Sequence, residues 1–90
     1  MPTVRIPTQL RTLTGGASEV EAEGGTIGEV LKSLDAAHQG FAERLFDESG
    51  ALRRFVNVFL DDEDVRFLGG LATPVSPDQT VSIIPAVAGG

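Results

Sequence analysis

The stretch "TIGEVLKSLDAAHQG", Thr26 to Gly40, is where the apolar spacing of this 90-residue chain follows a helix. Ile27, Val30, Leu31 and Leu34 recur at i, i+3, i+4 and i+7, one stripe of a 3.6-residue period. Thr26 followed by Glu29 is a capping box, in which each side chain can accept a backbone N–H of the first turn. Gly40 is expected to close the helix as its C-terminal cap. "FAERLF", residues 41–46, reads as one further helical turn that pins Phe41 and Leu45 onto the core.

Away from this stretch the period is two. In "TVRIP", residues 3–7, Val4 and Ile6 share a face; in "SEVEAE", residues 18–23, Val20 and Ala22 do. The glycines of "TGGA" between them tolerate positive φ, so these two strands are expected to form a hairpin. Beyond the helix, "DESGA" is a polar loop and "RRFVNVFL", residues 53–60, is a strand with Val56, Val58 and Leu60 in one apolar row. An acidic turn, "DDED", leads to a short strand expected at Val65 to Phe67. An irregular stretch over 68–79 follows, and "TVSIIP", residues 80–85, is the last strand, with Val81 and Ile83 on one face and Ser82 and Ile84 on the other.

One main helix can cover only one face of the resulting sheet, which makes an α+β two-layer domain. A β-grasp arrangement fits the element order best: a mixed sheet with the first and last strands central. No sequence period recurs, which sets aside a repeat protein. The expected organisation is a globular domain over 1–85 and a flexible tail over 86–90 ending in Gly-Gly.

A chain of this length buries about 60–65% of its unfolded surface, enough for one core but not for a deep enclosed pocket. It has no cysteine, which excludes disulfides, thiolate metal sites and thiol catalysis and fits a reducing, cytoplasmic setting. No secretory signal or membrane-spanning run is legible, so no membrane partner is expected. The formal charge is −6, which disfavours a phosphate backbone and hence nucleic acid, and the six arginines stand too far apart to read as a basic patch.

His38, the single histidine, lies where a helix dipole favours it and has no second His or Cys with which to hold a metal. "DDED" lacks the ligand spacing of a calcium loop and reads as a solvated turn. "EGGTIGEV" has neither G-x-G-x-x-G spacing nor a P-loop lysine, so its glycines are read as the turn into the helix. No acid, base and nucleophile converge, and the chain is read as something acted upon rather than an enzyme.

Phe55 and Phe59 alternate with Val56, Val58 and Leu60, so both should lie on the sheet face that the helix leaves open, joined by Ile84. An apolar group there marks a partner surface, unless the 68–79 stretch folds over it. The chain then ends "PAVAGG". Gly-Gly occurs four times, but only Gly89-Gly90 carries a main-chain carboxylate. Residues 86–90, Ala86, Val87 and Ala88 included, span at most about 17 Å when extended and present no bulk at their tip, so they suit a narrow channel in a partner. Ordering them costs about 1–2 kcal/mol per residue, which contacts on the sheet face would have to offset.

The β-grasp order, "RRFVNVFLDDEDVRFLGGLATPV" and the terminal "VSIIPAVAGG" together resemble the ubiquitin-like sulfur carriers of the MoaD/ThiS family, and within it the CysO-type branch of cysteine biosynthesis. The resemblance spans nearly the whole chain. It implies that Gly90, preceded by Gly89, is adenylated with ATP by a ubiquitin-activating-like adenylyltransferase/sulfurtransferase and becomes a C-terminal thiocarboxylate. It further implies a PLP-dependent cysteine synthase as sulfur acceptor and a JAMM-type metalloprotease that releases the product, with no cofactor bound by the chain itself. Phe55, Phe59 and Ile84 map onto the family's docking face. The small subunit of molybdopterin synthase shares fold and tail, and related carriers feed the thiolation of secondary metabolites or tRNA. An interaction module that uses its sheet face and ignores its tail is the contrasting reading.

Overall fold

The structure, a computed structural model, describes residues 1–85. Ala86, Val87, Ala88, Gly89 and Gly90, and with them the expected tail, lie outside the described residues.

Five strands form one mixed sheet: β1 (Thr3–Arg5), β2 (Glu19–Glu21), β3 (Val56–Leu60), β4 (Glu63–Asp64) and β5 (Thr80–Pro85), in the order β2-β1-β5-β3-β4. β5 lies at the centre, parallel to β1 and antiparallel to β3, while β1–β2 and β3–β4 are antiparallel. The first and last strands are thus neighbours at the middle of the sheet, as expected for a β-grasp. Two helices, α1 (Ile27–Ala37) and α2 (Phe41–Leu45), complete the fold.

The helical stripe is realised. Ile27, Val30, Leu31 and Leu34 are buried against Val4, Val58, Val81 and Ile83 of the sheet, and Phe41 and Leu45 close the same core. Each such side chain contributes about 1.5–3 kcal/mol by burial. At the N-terminus of α1 the Thr26 hydroxyl accepts the Glu29 amide at 3.2 Å, while the Glu29 carboxylate accepts the Gly25 amide at 2.8 Å. The capping box therefore reaches back one residue further than the standard form.

The expected hairpin of β1 and β2 forms, its connection taken up by a 3₁₀ helix over Thr8–Thr14 that buries Leu10, with Gly15, left-handed at φ 67, as the exit. Three local expectations are corrected. His38, not Gly40, is the C-terminal cap of α1, its amide bonding the Leu34 carbonyl; Gly40 instead starts α2 at φ 112. The short strand falls within "DDED" itself, at Glu63–Asp64, and Val65–Phe67 is a 3₁₀ turn. Its alternation is misleading because Val65 is buried while Phe67 is 86% exposed, and the Asp64 carboxylate caps the turn through the Arg66 amide. Finally, Gly70–Ala72 is another 3₁₀ turn within the stretch read as irregular.

Candidate functional site

The path of residues 68–79 decides which sheet face is open. Thr73 accepts the Ile27 amide, the Val75 amide reaches the Gly25 carbonyl, and Thr26 bridges to Pro74. Leu71 sits against Gly28, 3.2 Å from where a Cβ would stand. The stretch is bound to the start of α1, on the helical side, and leaves the other face of the sheet bare.

On that bare face the β3–β5 register sets the neighbours. Asn57 lies directly opposite Ile84 and Phe59 opposite Ser82, so Ile84 and Phe59 are diagonal neighbours on one face. Ile84 is 48% exposed and Phe59 is half-buried. Phe55, 49% exposed, stands just before β3 in a turn closed by the Val56 amide on the Arg53 carbonyl. It lines a cleft of about 250 Å³ at the end of the sheet with Leu10, Arg44 and Pro85. The three residues thus do not form one continuous row: Asn57 separates the phenylalanines.

Asn57 is itself held. Arg66 donates Nη1 to its Oδ1 at 2.6 Å and Nη2 to the carbonyls of Val56 at 2.7 Å and Arg53 at 2.9 Å. One guanidinium therefore fixes both the amide on the open face and the turn that carries Phe55. Sequence reasoning missed this clamp, and it missed the exposed Phe67 and Leu68 beside it. The signal was present in "VRFLGG", where two large apolar residues precede a glycine pair, but an assumed strand concealed it.

The alternatives to this surface have structural occupations. Asp61, at φ 55, turns the chain after β3, and its carboxylate accepts from the Thr80 amide and the Gln79 side chain. Gly25 and Thr26 are consumed by the helix cap. Gly24 has φ 152, and a Cβ there would lie 2.6 Å from the Val30 amide nitrogen. Three of the four Gly-Gly pairs thus lie in turns of the described fold, leaving Gly89-Gly90 outside the described residues. A groove of about 560 Å³ between α1, α2 and Leu71 lies on the helical side, away from Pro85. Among the described residues no helix is long and apolar enough to cross a membrane.

The ThiS family pattern matches residues 4–90, almost the whole chain and through to Gly90. This chain belongs to the ThiS family. It is 54% identical to the sulfur carrier protein CysO of Mycobacterium tuberculosis, the match covering 98% of this chain and 97% of that relative. The crystal structure of M. tuberculosis CysO superposes with a TM-score of 0.91 at 52% identity, covering 97% of this chain and 100% of that one. A chain in the crystal structure of the Amycolatopsis orientalis BexX/CysO complex gives a TM-score of 0.93 at 50% identity, with both chains covered completely. These relatives share the ubiquitin-like β-grasp fold, and the curated one is named a carrier rather than an enzyme.

Proposed function

We propose that this ThiS-family chain is a sulfur carrier for cysteine biosynthesis whose working group is the Gly90 carboxylate. The observation that carries the reading is the 54% identity to a sulfur carrier protein over nearly the full length of both chains. The family match that runs through Gly90 supports placing the chemistry at the terminus.

A carboxylate resists attack by sulfur because its leaving group would be oxide. In an activating enzyme, the Gly90 carboxylate oxygen attacks the α-phosphorus of ATP and pyrophosphate departs. Hydrosulfide then adds to the acyl carbon and expels AMP, releasing one proton and leaving –C(O)S⁻. The product is an anionic sulfur nucleophile carried without any cysteine. A PLP-dependent synthase accepts the sulfur, and a JAMM-type metalloprotease releases the cysteine formed. The folded body serves as a handle: Ile84 and Phe59 on the bare face and Phe55 beside Pro85 supply apolar contact that offsets the ordering of the tail. The complex of the A. orientalis relative with BexX supports docking of this fold on a second protein.

Intact mass after incubation with the activating enzyme, ATP and a sulfide source tests the reading. Replacement of one terminal oxygen by sulfur adds about 16 Da. Wild type should gain it and the chain lacking Gly89-Gly90 should not. An unshifted wild-type mass would overturn the proposal.

A further inference from the structure

The arginines are dispersed in sequence, yet the fold gathers four of them at one end. Pro85, the last residue of β5, lies between two clefts. Arg11 lines the first with Ile84, and Arg44 lines the second with Phe55. Arg53 and Arg54 precede Phe55 in the turn that leads into Val56, the residue paired with Pro85. Two of these side chains are anchored by backbone carbonyls: Arg11 Nε donates to Ile6 at 3.0 Å and Arg53 Nε to Glu43 at 3.2 Å. Among the described residues the one ion pair is Arg5–Glu19, at 3.6 Å, so none of the four is neutralised by a bonded carboxylate. Asp47, whose carboxylate accepts from Ser49 and Ala51, feels the charge of Arg53 without a bonded contact, and Glu19, which shares the Arg11 cleft, is paired with Arg5.

The opposite end is acidic. Asp61 to Asp64 follow Leu60, and Asp61 is bonded to Thr80, where β5 begins. The six residues of β5 therefore separate an acidic pole from an arginine pole by about 17 Å. A chain of net charge −6 thus brings Pro85, the last described residue, to its positive end.

We propose that Arg11, Arg44, Arg53 and Arg54 form a cationic collar that docks against a carboxylate-rich rim on the protein whose channel receives the tail. This deepens the carrier reading and rests on it for the identity of the partner. Guanidinium forks match carboxylates in a bidentate geometry, and the acidic body is repelled by such a rim everywhere except at the collar. The two poles turn the molecule during encounter so that the terminus enters first, which raises the association rate more than the affinity.

A polyglutamate peptide probes the collar without any assumption about sulfur. Titrated at low ionic strength into the isotope-labelled full chain, it should shift the amide resonances around Arg11, Arg44, Arg53 and Arg54 and leave those of Asp61 to Asp64 in place. The Arg44→Glu/Arg54→Glu double variant, both exposed and free of side-chain hydrogen bonds among the described residues, should abolish those shifts. Absent shifts, or shifts that survive the double variant, overturn the proposal. In a second arm, kcat/KM of the activating enzyme for the double variant should fall about tenfold at low salt with kcat unchanged, and Arg44→Lys/Arg54→Lys should restore most of it. An unchanged kcat/KM overturns the collar while the carrier reading stands. Failure of the wild-type chain to gain sulfur refutes the carrier reading instead, and the peptide titration still decides whether the collar exists.

Discussion

Pro85 pairs with Val56 across the β3–β5 ladder, and Val56 directs neither of its own backbone groups at Pro85. The Val56 amide bonds the Arg53 carbonyl, and its carbonyl accepts from Arg66 at 2.7 Å. This is the kind of antiparallel pair that exchanges no hydrogen bonds, so the missing N–H of proline costs the β3–β5 ladder nothing. β5 can end on a residue that cannot extend the ladder, held by Val56 on one side and flanked by the Arg11 cleft on the other. The root of the last five residues is thereby fixed.

The first prediction follows from that division of labour. Gly90→Phe should leave the melting temperature within about 1 °C of wild type, because the described core is built from residues between Val4 and Ile83. It should nevertheless abolish the sulfur-dependent mass gain, since a bulky tip cannot enter a channel shaped for glycine. A variant that is thiocarboxylated as fast as wild type would remove the terminal group from the mechanism.

Ile84 and Leu31 separate surface from core. Ile84→Asp removes a half-exposed side chain from a bare sheet face and should change stability by no more than about 0.5 kcal/mol. Binding to the activating enzyme should weaken clearly. Leu31→Ala opens a cavity under α1 at a fully buried position and should cost about 2–5 kcal/mol in urea unfolding. Comparable destabilisation by both changes would place Ile84 in the core and end its role as a docking residue.

The sequence made the frame legible because local signals and global packing agree there. The stripe Ile27–Val30–Leu31–Leu34 and the Thr26/Glu29 cap specify α1, and the row Val56–Val58–Leu60 specifies β3. Misreadings arose where a distant contact outweighed the local pattern. Gly40 reads as a helix end, but it serves α2, whose start is held by the Asp35 carboxylate on the Ala42 amide at 2.9 Å. "VRF" alternates like a strand, but the turn at Asp61 brings Glu63 and Asp64 opposite Leu60 and Phe59, so the ladder is spent before Val65. The arginine collar could not be read at all, because it depends on β5 bringing Pro85 between the segments that hold Arg11 and Arg44. The apolar face was half legible: alternation placed Phe59 and Ile84 together, while the turn at Arg53–Val56 took Phe55 out of the row.

Asp47 gives a pH-dependent readout. The Ser49 hydroxyl, the largest influence, holds its carboxyl below the ordinary value of 3.8 against desolvation, the next largest, and is helped by the Ala51 and Ser49 amides and the charge of Arg53. A pKa depressed by folding stabilises the fold above the unfolded value, and that contribution disappears as pH falls through the folded value. Ser49→Ala should move the Asp47 titration upward, and carboxyl resonances followed below about pH 5 would show it. An unmoved titration would assign the depression to the amides instead.

Gly24 tests whether the turn into α1 depends on a missing side chain. Its φ of 152 and the 2.6 Å approach of a Cβ to the Val30 nitrogen leave no room for relaxation, because the obstructing atom is helix backbone. Gly24→Ala should cost about 1–3 kcal/mol. Gly50→Ala, also at positive φ but facing open space, should cost less.

Arg66 is the most exacting case, because its contribution lies in geometry rather than charge. Its planar fork meets four acceptors along residues 53–57, the Asn57 side-chain oxygen and the carbonyls of Val56, Arg53 and, at 3.4 Å, Arg54, and pairs with no carboxylate among the described residues. A lysine ammonium supplies the same charge from one point and cannot span those acceptors together. Arg66→Ala should therefore destabilise by about 1–3 kcal/mol, and Arg66→Lys should recover less than about half of that loss. The turn carrying Phe55 should loosen in both variants, visible as faster amide exchange at Val56. Full recovery by lysine, with exchange at Val56 unchanged, would show that the residue acts as a point charge and that the turn is held by something else.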